Sequence, residues 1–191
     1  MDRIYFSAWL RGFTQHNMLV SFEKFLRLVP HSRLRSGGSL TVHAVSYGEP
    51  PLLERRFDET PDAAAVTALC REFDHADCAY QLETYWDLWT RDEAGEWKLA
   101  PSPLSLTLYA PLFESGLGEQ LLIDFGLDAQ FLPADGTRGE LLAVQSNIRS
   151  LLHLTTDASK TLVLDKKTLW SESGENLAAR LEETLAPLTS N

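Results

Sequence analysis

The amino-acid sequence predicts an α+β fold: a mixed or mainly antiparallel sheet with a central β-meander, and helices packed mostly on one face. Three observations carry that expectation. The chain opens on a run, Arg3 to Arg11, in which apolar and polar residues alternate with period two, the pattern of a half-buried strand. Between about residues 80 and 127, strand-like runs follow one another through links too short to cross over a sheet, which implies antiparallel neighbours. Apolar stripes at helical spacing recur before and after that stretch, so helices and strands are partly segregated along the chain.

In the opening strand Ile4, Phe6, Ala8 and Leu10 share one face, and Arg3, Tyr5, Ser7, Trp9 and Arg11 share the other. Gly12 breaks it. Thr14 is then placed to cap a helix to about Leu28, with Met18, Leu19, Phe22, Phe25, Leu26 and Val29 as its stripe before Pro30 stops it. Beyond the Ser36-Gly37-Gly38 loop, a strand is expected from Leu40 to Tyr47, with Leu52–Phe57 returning as its hairpin partner. Thr60-Pro61 reads as a hydroxyl cap followed by proline in the first helical turn; Val66, Leu69, Cys70 and Phe73 form that helix's stripe. The meander comprises Tyr80–Thr90, Trp97–Leu99, Leu104–Ala110 and Gln120–Leu127, with Pro101-Ser102-Pro103 read as one of the turns between them. A helix of about Arg138–Thr155, a short strand at Thr161–Leu164 and a last helix of about Glu175–Leu185 complete the order.

With 191 residues, 44% hydrophobic and 23% charged, the composition is that of a globular chain. Its length suits one α+β domain over 1–191, with a weak sub-boundary near 77 or 135. Two cysteines, Cys70 and Cys78, are too few for a disulfide scaffold. The N-terminal letters are broken by Arg3, Ser7 and Arg11, so no signal-peptide core is expected there, and no stretch has the length of a bilayer span. A soluble, cytoplasmic protein is the expectation. The net charge of −10 argues against nucleic acid as a partner. Charge is uneven: residues 1–40 hold six cations against two acids, and residues 57–140 hold 17 acids against four cations. Such asymmetry orients a partner or favours head-to-tail association, homodimers included; solvated faces are the simpler account of it.

Catalytic and cofactor motifs are sparse, and no run of residues carries a family signature. Cys70, His75 and Cys78 have metal-binding side chains but not the spacing of a zinc knuckle, and no metal or cofactor is expected. No Gly-x-Ser-x-Gly elbow or cysteine-protease signature occurs. Ser115-Gly116-Leu117-Gly118 joins two strands and therefore lacks the helix N-terminus of a phosphate loop. Arg33 and Arg35, beside Gly37-Gly38, form a weak anion-binding candidate, although cations just past a helix C-terminus also suit the helix dipole.

The strongest feature lies in residues 80–89. Tyr80, Leu82, Thr84, Trp86 and Leu88 read as core; Glu83, Tyr85, Asp87 and Trp89 fall on the opposite face. Two large rings interleaved with two carboxylates suit recognition by stacking and cation–π contact, whereas ordinary cross-strand pairing is the plainer role for them. Depending on register, Ser105, Thr107, Tyr109, Gln120 and Asp124 join the same face. The expectation is a non-catalytic binding or protein-interaction protein, its partner a protein or a small molecule. The alternative is a small enzyme with a dispersed acid–base site built on Asp87 or Asp124, with His43.

Overall fold

A computed structural model describes residues 2–174 and 176–186. The strands are β1 (Arg3–Leu10), β2 (Gly38–Ala44), β3 (Leu53–Phe57), β4 (Cys78–Arg91), β5 (Trp97–Tyr109), β6 (Leu121–Leu127) and β7 (Leu164–Ser171). The helices are α1 (Gln15–Leu26), α2 (Ala63–Arg71), α3 (Arg138–Thr161) and α4 (Leu177–Leu185), and a 3-10 turn spans Asp128–Gln130. The strands form one antiparallel sheet in the order β3-β2-β4-β5-β6-β1-β7. The expected α+β class and meander are present. β1 is inserted between β6 and β7, an order that no local pattern announces.

Alternation decides the layers. Ile4, Phe6, Leu40, Val42, Leu82, Trp86, Leu106 and Ile123 point to one face and are buried. There they form one core with the helical stripes: Met18 and Phe22 of α1, Val66 and Cys70 of α2, Val144 and Ile148 of α3, Leu177 and Leu181 of α4. Burying one such side chain contributes about 1.5–3 kcal/mol, so this face is strongly specified. Among the described residues, no helix packs on the opposite face.

Several boundaries differ from those the sequence pattern predicts, each for a physical reason. Pro101-Ser102-Pro103 is not a turn: β5 runs unbroken from Trp97 to Tyr109, with Pro101 opposite Asp87 and Pro103 opposite Tyr85. The two prolines have the same parity, and β6 pairs only with Ser105–Leu108. Their missing N–H groups thus fall on a side where no strand needs them. The cap of α2 is Asp62, whose carboxylate accepts from Ala65 N at 2.9 Å, not Thr60. α3 continues to Thr161, and the strand placed at Thr161–Leu164 is instead β7, Leu164–Ser171. As an edge strand paired on one side only, β7 has little apolar alternation to reveal it. The last helix starts at Leu177; Glu175 lies outside the described residues.

The free stretch of the β4 edge is handled by side chains. β2 pairs with β4 only as far as Glu83. Further along, Asn147 of α3 takes the place of a strand: its Oδ1 accepts from Trp89 N and its Nδ2 donates to Trp89 O, both at 2.8 Å. The same Nδ2 donates to Gln130 O at 2.8 Å.

Candidate functional site

Register sets the open face. One row crosses all seven strands: Arg56 (β3), Ser39 (β2), Glu83 (β4), Ser105 (β5), Asp124 (β6), Tyr5 (β1) and Trp170 (β7). A bulge fixes its far half. Ile4 pairs with Gly126 and Tyr5 with Asp124, which leaves Phe125 as the extra residue. Gly126 has φ +89°, where a side chain would be strained, and its N–H donates to Asp124 Oδ1 at 2.9 Å.

Over the middle of this row lies a cavity of about 590 Å3. Its floor is Ser39, Gln81, Glu83, Tyr85, Ser105 and Asp124; Arg3 stands at one end, with Arg35, Arg56 and Asp58 around the other. Arg3 is committed: Nη2 and Nε reach Asp124 Oδ2 at 2.7 and 2.8 Å, and this hydrogen bond raises the guanidinium pKa. Arg35 places its guanidinium carbon 3.9 Å from the centroid of the Tyr85 ring, a cation–π contact. Among the described residues, Arg35, Arg56, Glu83 and Asp58 take part in no ion pair. Glu83 accepts from Ser39 Oγ at 3.3 Å, and Gln81 Nε2 donates to Ser105 Oγ at 3.1 Å. Gly37 and Gly38 let the wall close in: a Cβ on Gly38 would lie 2.5 Å from Glu83 O.

Asp87 holds the loop that carries Arg35. Its carboxylate accepts from Ser32 Oγ and, at 2.9 Å, from Arg33 N. Ser32 Oγ in turn accepts from Leu34 N and Arg35 N at 3.1 and 3.0 Å. Asp87 therefore faces the loop, and Arg33 borders a small separate cavity with Pro30, His31 and Trp86. Trp89 lines a second, more apolar cavity of about 480 Å3 with Trp97, Leu127 and Ala129, and this cavity shares Arg3 and Pro103 with the first.

The remaining candidates are buried elsewhere on this face. Thr107 and Tyr109 are 4% and 6% exposed. Tyr109 stacks on Phe113 at 5.7 Å and receives a hydrogen bond from the Tyr47 hydroxyl at 3.2 Å; burial pushes the pKa of both phenols up. Ala79, Tyr109 and Phe113 form a small second core there, roofed by the segment after β5. His43 packs edge-on against Tyr47 at 5.0 Å, away from the cavity. Toward β7, Tyr5 stacks on Trp170 at 4.6 Å and donates to Glu172 Oε1 at 3.1 Å; burial first, and then Asp124, pushes its pKa up to about 12.

The structure thus brings Glu83, Tyr85, Asp124 and Arg35 together at one cavity and places Asp87, Trp89, Thr107, Tyr109 and Arg33 around it in other roles. Arg3 and Arg56 also reach it, and no sequence pattern singles out either as a site residue. Arg56 lies on the β2–β3 hairpin and Arg3 on β1, and only the longer-range pairing of β2 with β4 and of β1 with β6 brings them to the cavity. Cys70 and Cys78 are buried and unpaired as disulfides; burial pushes the Cys70 thiol up to about 12 and raises Cys78 as well. Among the described residues no group of three or more potential metal ligands occurs, and no helix is long and apolar enough to cross a membrane. In comparisons with family models, curated proteins and solved structures, the chain has no match.

Proposed function

We propose that this protein is a non-catalytic binding protein that holds its partner, a small molecule or a segment of a protein, at the polar cavity of the open sheet face. The observation that carries the reading is the set of uncommitted charges there: Arg35, Arg56, Glu83 and Asp58 line one concavity without ion-pairing. Its volume, about 590 Å3, is in the usual range of ligand sites, roughly 300–1,000 Å3. The hydroxyls of Ser39 and Ser105 line the cavity, whereas both thiols lie in the helix-covered core with raised pKa values. A second reading, an acid–base enzyme, has one specific point in its favour: Glu83 and Asp124 flank Ser105 in a single row, two strand spacings or about 10 Å apart at the backbone.

Capture from a native lysate tests the proposal. The wild-type chain should retain a protein or small molecule in stoichiometric amount. Glu83→Ala/Tyr85→Ala should lose it with only a small change in its unfolding midpoint. Equal retention by both forms, or none by either, would remove the support for this site.

A further inference from the structure

The two neighbouring cavities share a wall and differ in chemistry. We infer that they form one bipartite site for a small zwitterion with an apolar tail, namely an amino acid or dipeptide with a large apolar side chain. This inference rests on the binding reading above and names its ligand class.

The polar cavity offers both signs of charge, unspent. Arg35 and Arg56 are free to take a carboxylate, for which planar guanidinium groups are suited. Among the described residues Glu83 is held only by the Ser39 hydroxyl at 3.3 Å and is free to take an ammonium group, while the Tyr85 ring keeps Arg35 at the rim. A ligand of one charge would meet repulsion from half of this lining; a zwitterion satisfies both halves. Arg3 and Asp124 neutralise each other at 2.7 Å and close the far side without adding net charge.

The apolar cavity continues from Pro103, the residue that both cavities share with Arg3. Pro103 lies two residues along β5 from Ser105, roughly 7 Å. That is the span between a dipeptide's charged head and its next side chain. Beyond it the walls are Trp89, Trp97, Leu127 and Ala129. Trp89 and Leu127 are 36% and 41% exposed, so a tail laid there removes apolar surface from water.

Calorimetric titration of the full chain tests the inference. The probes are phenylalanine, leucylphenylalanine, the dipeptide's N-acetyl and C-amide forms, and glycylglycine. At least one of the two zwitterions with a tail should bind, and which one does sets the length of the ligand. Blocking either charge, or removing the tail, should weaken binding at least about tenfold, as expected for losing a charged hydrogen bond or a buried side chain. Glu83→Gln should bind the free and N-acetyl forms equally, and Arg56→Ala, which leaves Arg35 in place, should narrow the preference for the free form over the amide. Both side chains are exposed, so the variants should fold, which their unfolding midpoints verify. The inference is overturned if neither zwitterion titrates at millimolar concentration, if a blocked analogue binds as tightly as its parent, or if both variants keep the wild-type preferences. Where the probes fail but lysate capture still depends on Glu83 and Tyr85, the ligand class falls and the binding reading stands; where both fail, the two fall together.

Discussion

The guanidinium of Arg35 lies over the ring of Tyr85 at 3.9 Å from its centroid, and this contact joins a loop to the open face of the sheet. Arg35 does not reach that position by its own interactions alone. Asp87, two residues along the same strand face from Tyr85, ties down the loop through Ser32 and Arg33 N, and Ser32 Oγ then accepts from Arg35 N.

Asp87→Ala should therefore act twice. It leaves the nearly buried Ser32 hydroxyl and Arg33 N–H without their acceptor, which costs about 1–3 kcal/mol, read by urea denaturation. It also releases Arg35 from the cavity rim, so ligand affinity falls although Asp87 does not line that cavity. Asp87→Asn retains one oxygen acceptor and should recover part of both losses.

Gly38→Ala should destabilise the fold out of proportion to one methyl group. The added Cβ would lie 2.5 Å from Glu83 O and 3.0 Å from the Pro61 ring. The closer neighbour is backbone in the β2–β4 ladder, so relief requires the strands to part. A cost of about 1–3 kcal/mol is expected from overpacking, with a matching loss of ligand affinity because Ser39 and Glu83 are paired beside it. A denaturation midpoint equal to wild type would show that the ladder yields freely.

Asn147→Ala should cost about 2–4 kcal/mol, since three hydrogen bonds to backbone groups of Trp89 and Gln130 are lost at a site 1% exposed. Trp89 and Gln130 also line the apolar cavity. Amide hydrogen exchange should speed up at Trp89 in particular, because its N–H would have no acceptor from α3.

His31 introduces a component of pH dependence with a definite sign. Burial lowers its pKa below the ordinary 6.5, and its Nδ1 lies 3.1 Å from Thr84 Oγ1. The unfolded chain therefore binds a proton more readily than the folded one. Stability from this residue is complete above about pH 6.5 and is lost as pH falls through 6.5 toward the depressed value. Relative to wild type, His31→Gln should lose less stability over that interval. Parallel stability–pH curves for the two proteins would contradict it.

Much of the fold is legible in the sequence because burial writes itself as periodicity. Ile4, Phe6, Ala8 and Leu10 mark β1, and Met18, Phe22 and Phe25 mark α1, since a single face of each is buried. β7 leaves no such mark: it pairs on one side, and Lys166 and Lys167 occupy its middle. Pro101 and Pro103 suggest a turn because proline usually stops a strand; whether a proline's missing N–H is needed depends on β6, some twenty residues away. Of the site, the face shared by Glu83 and Tyr85 follows from alternation alone. Arg3, Arg56 and the neutral pairing of Asp124 follow from strand order, and strand order is set by long-range packing that no local window contains. Tyr109 alternates onto the open face yet is sealed beneath Tyr47 and Phe113, side chains that loops deliver there.

Carboxyl labelling of Glu83 in the wild-type chain, compared between native lysate and plain buffer, tests the central claim most directly, because the chemistry of the ligand does not enter the readout. Glu83 and Glu114 are both exposed, and Glu114 lies outside the cavity lining. If the open-face cavity is the binding site, labelling of Glu83 should fall severalfold in lysate while Glu114 is unchanged. Equal labelling of Glu83 in lysate and buffer would contradict the account.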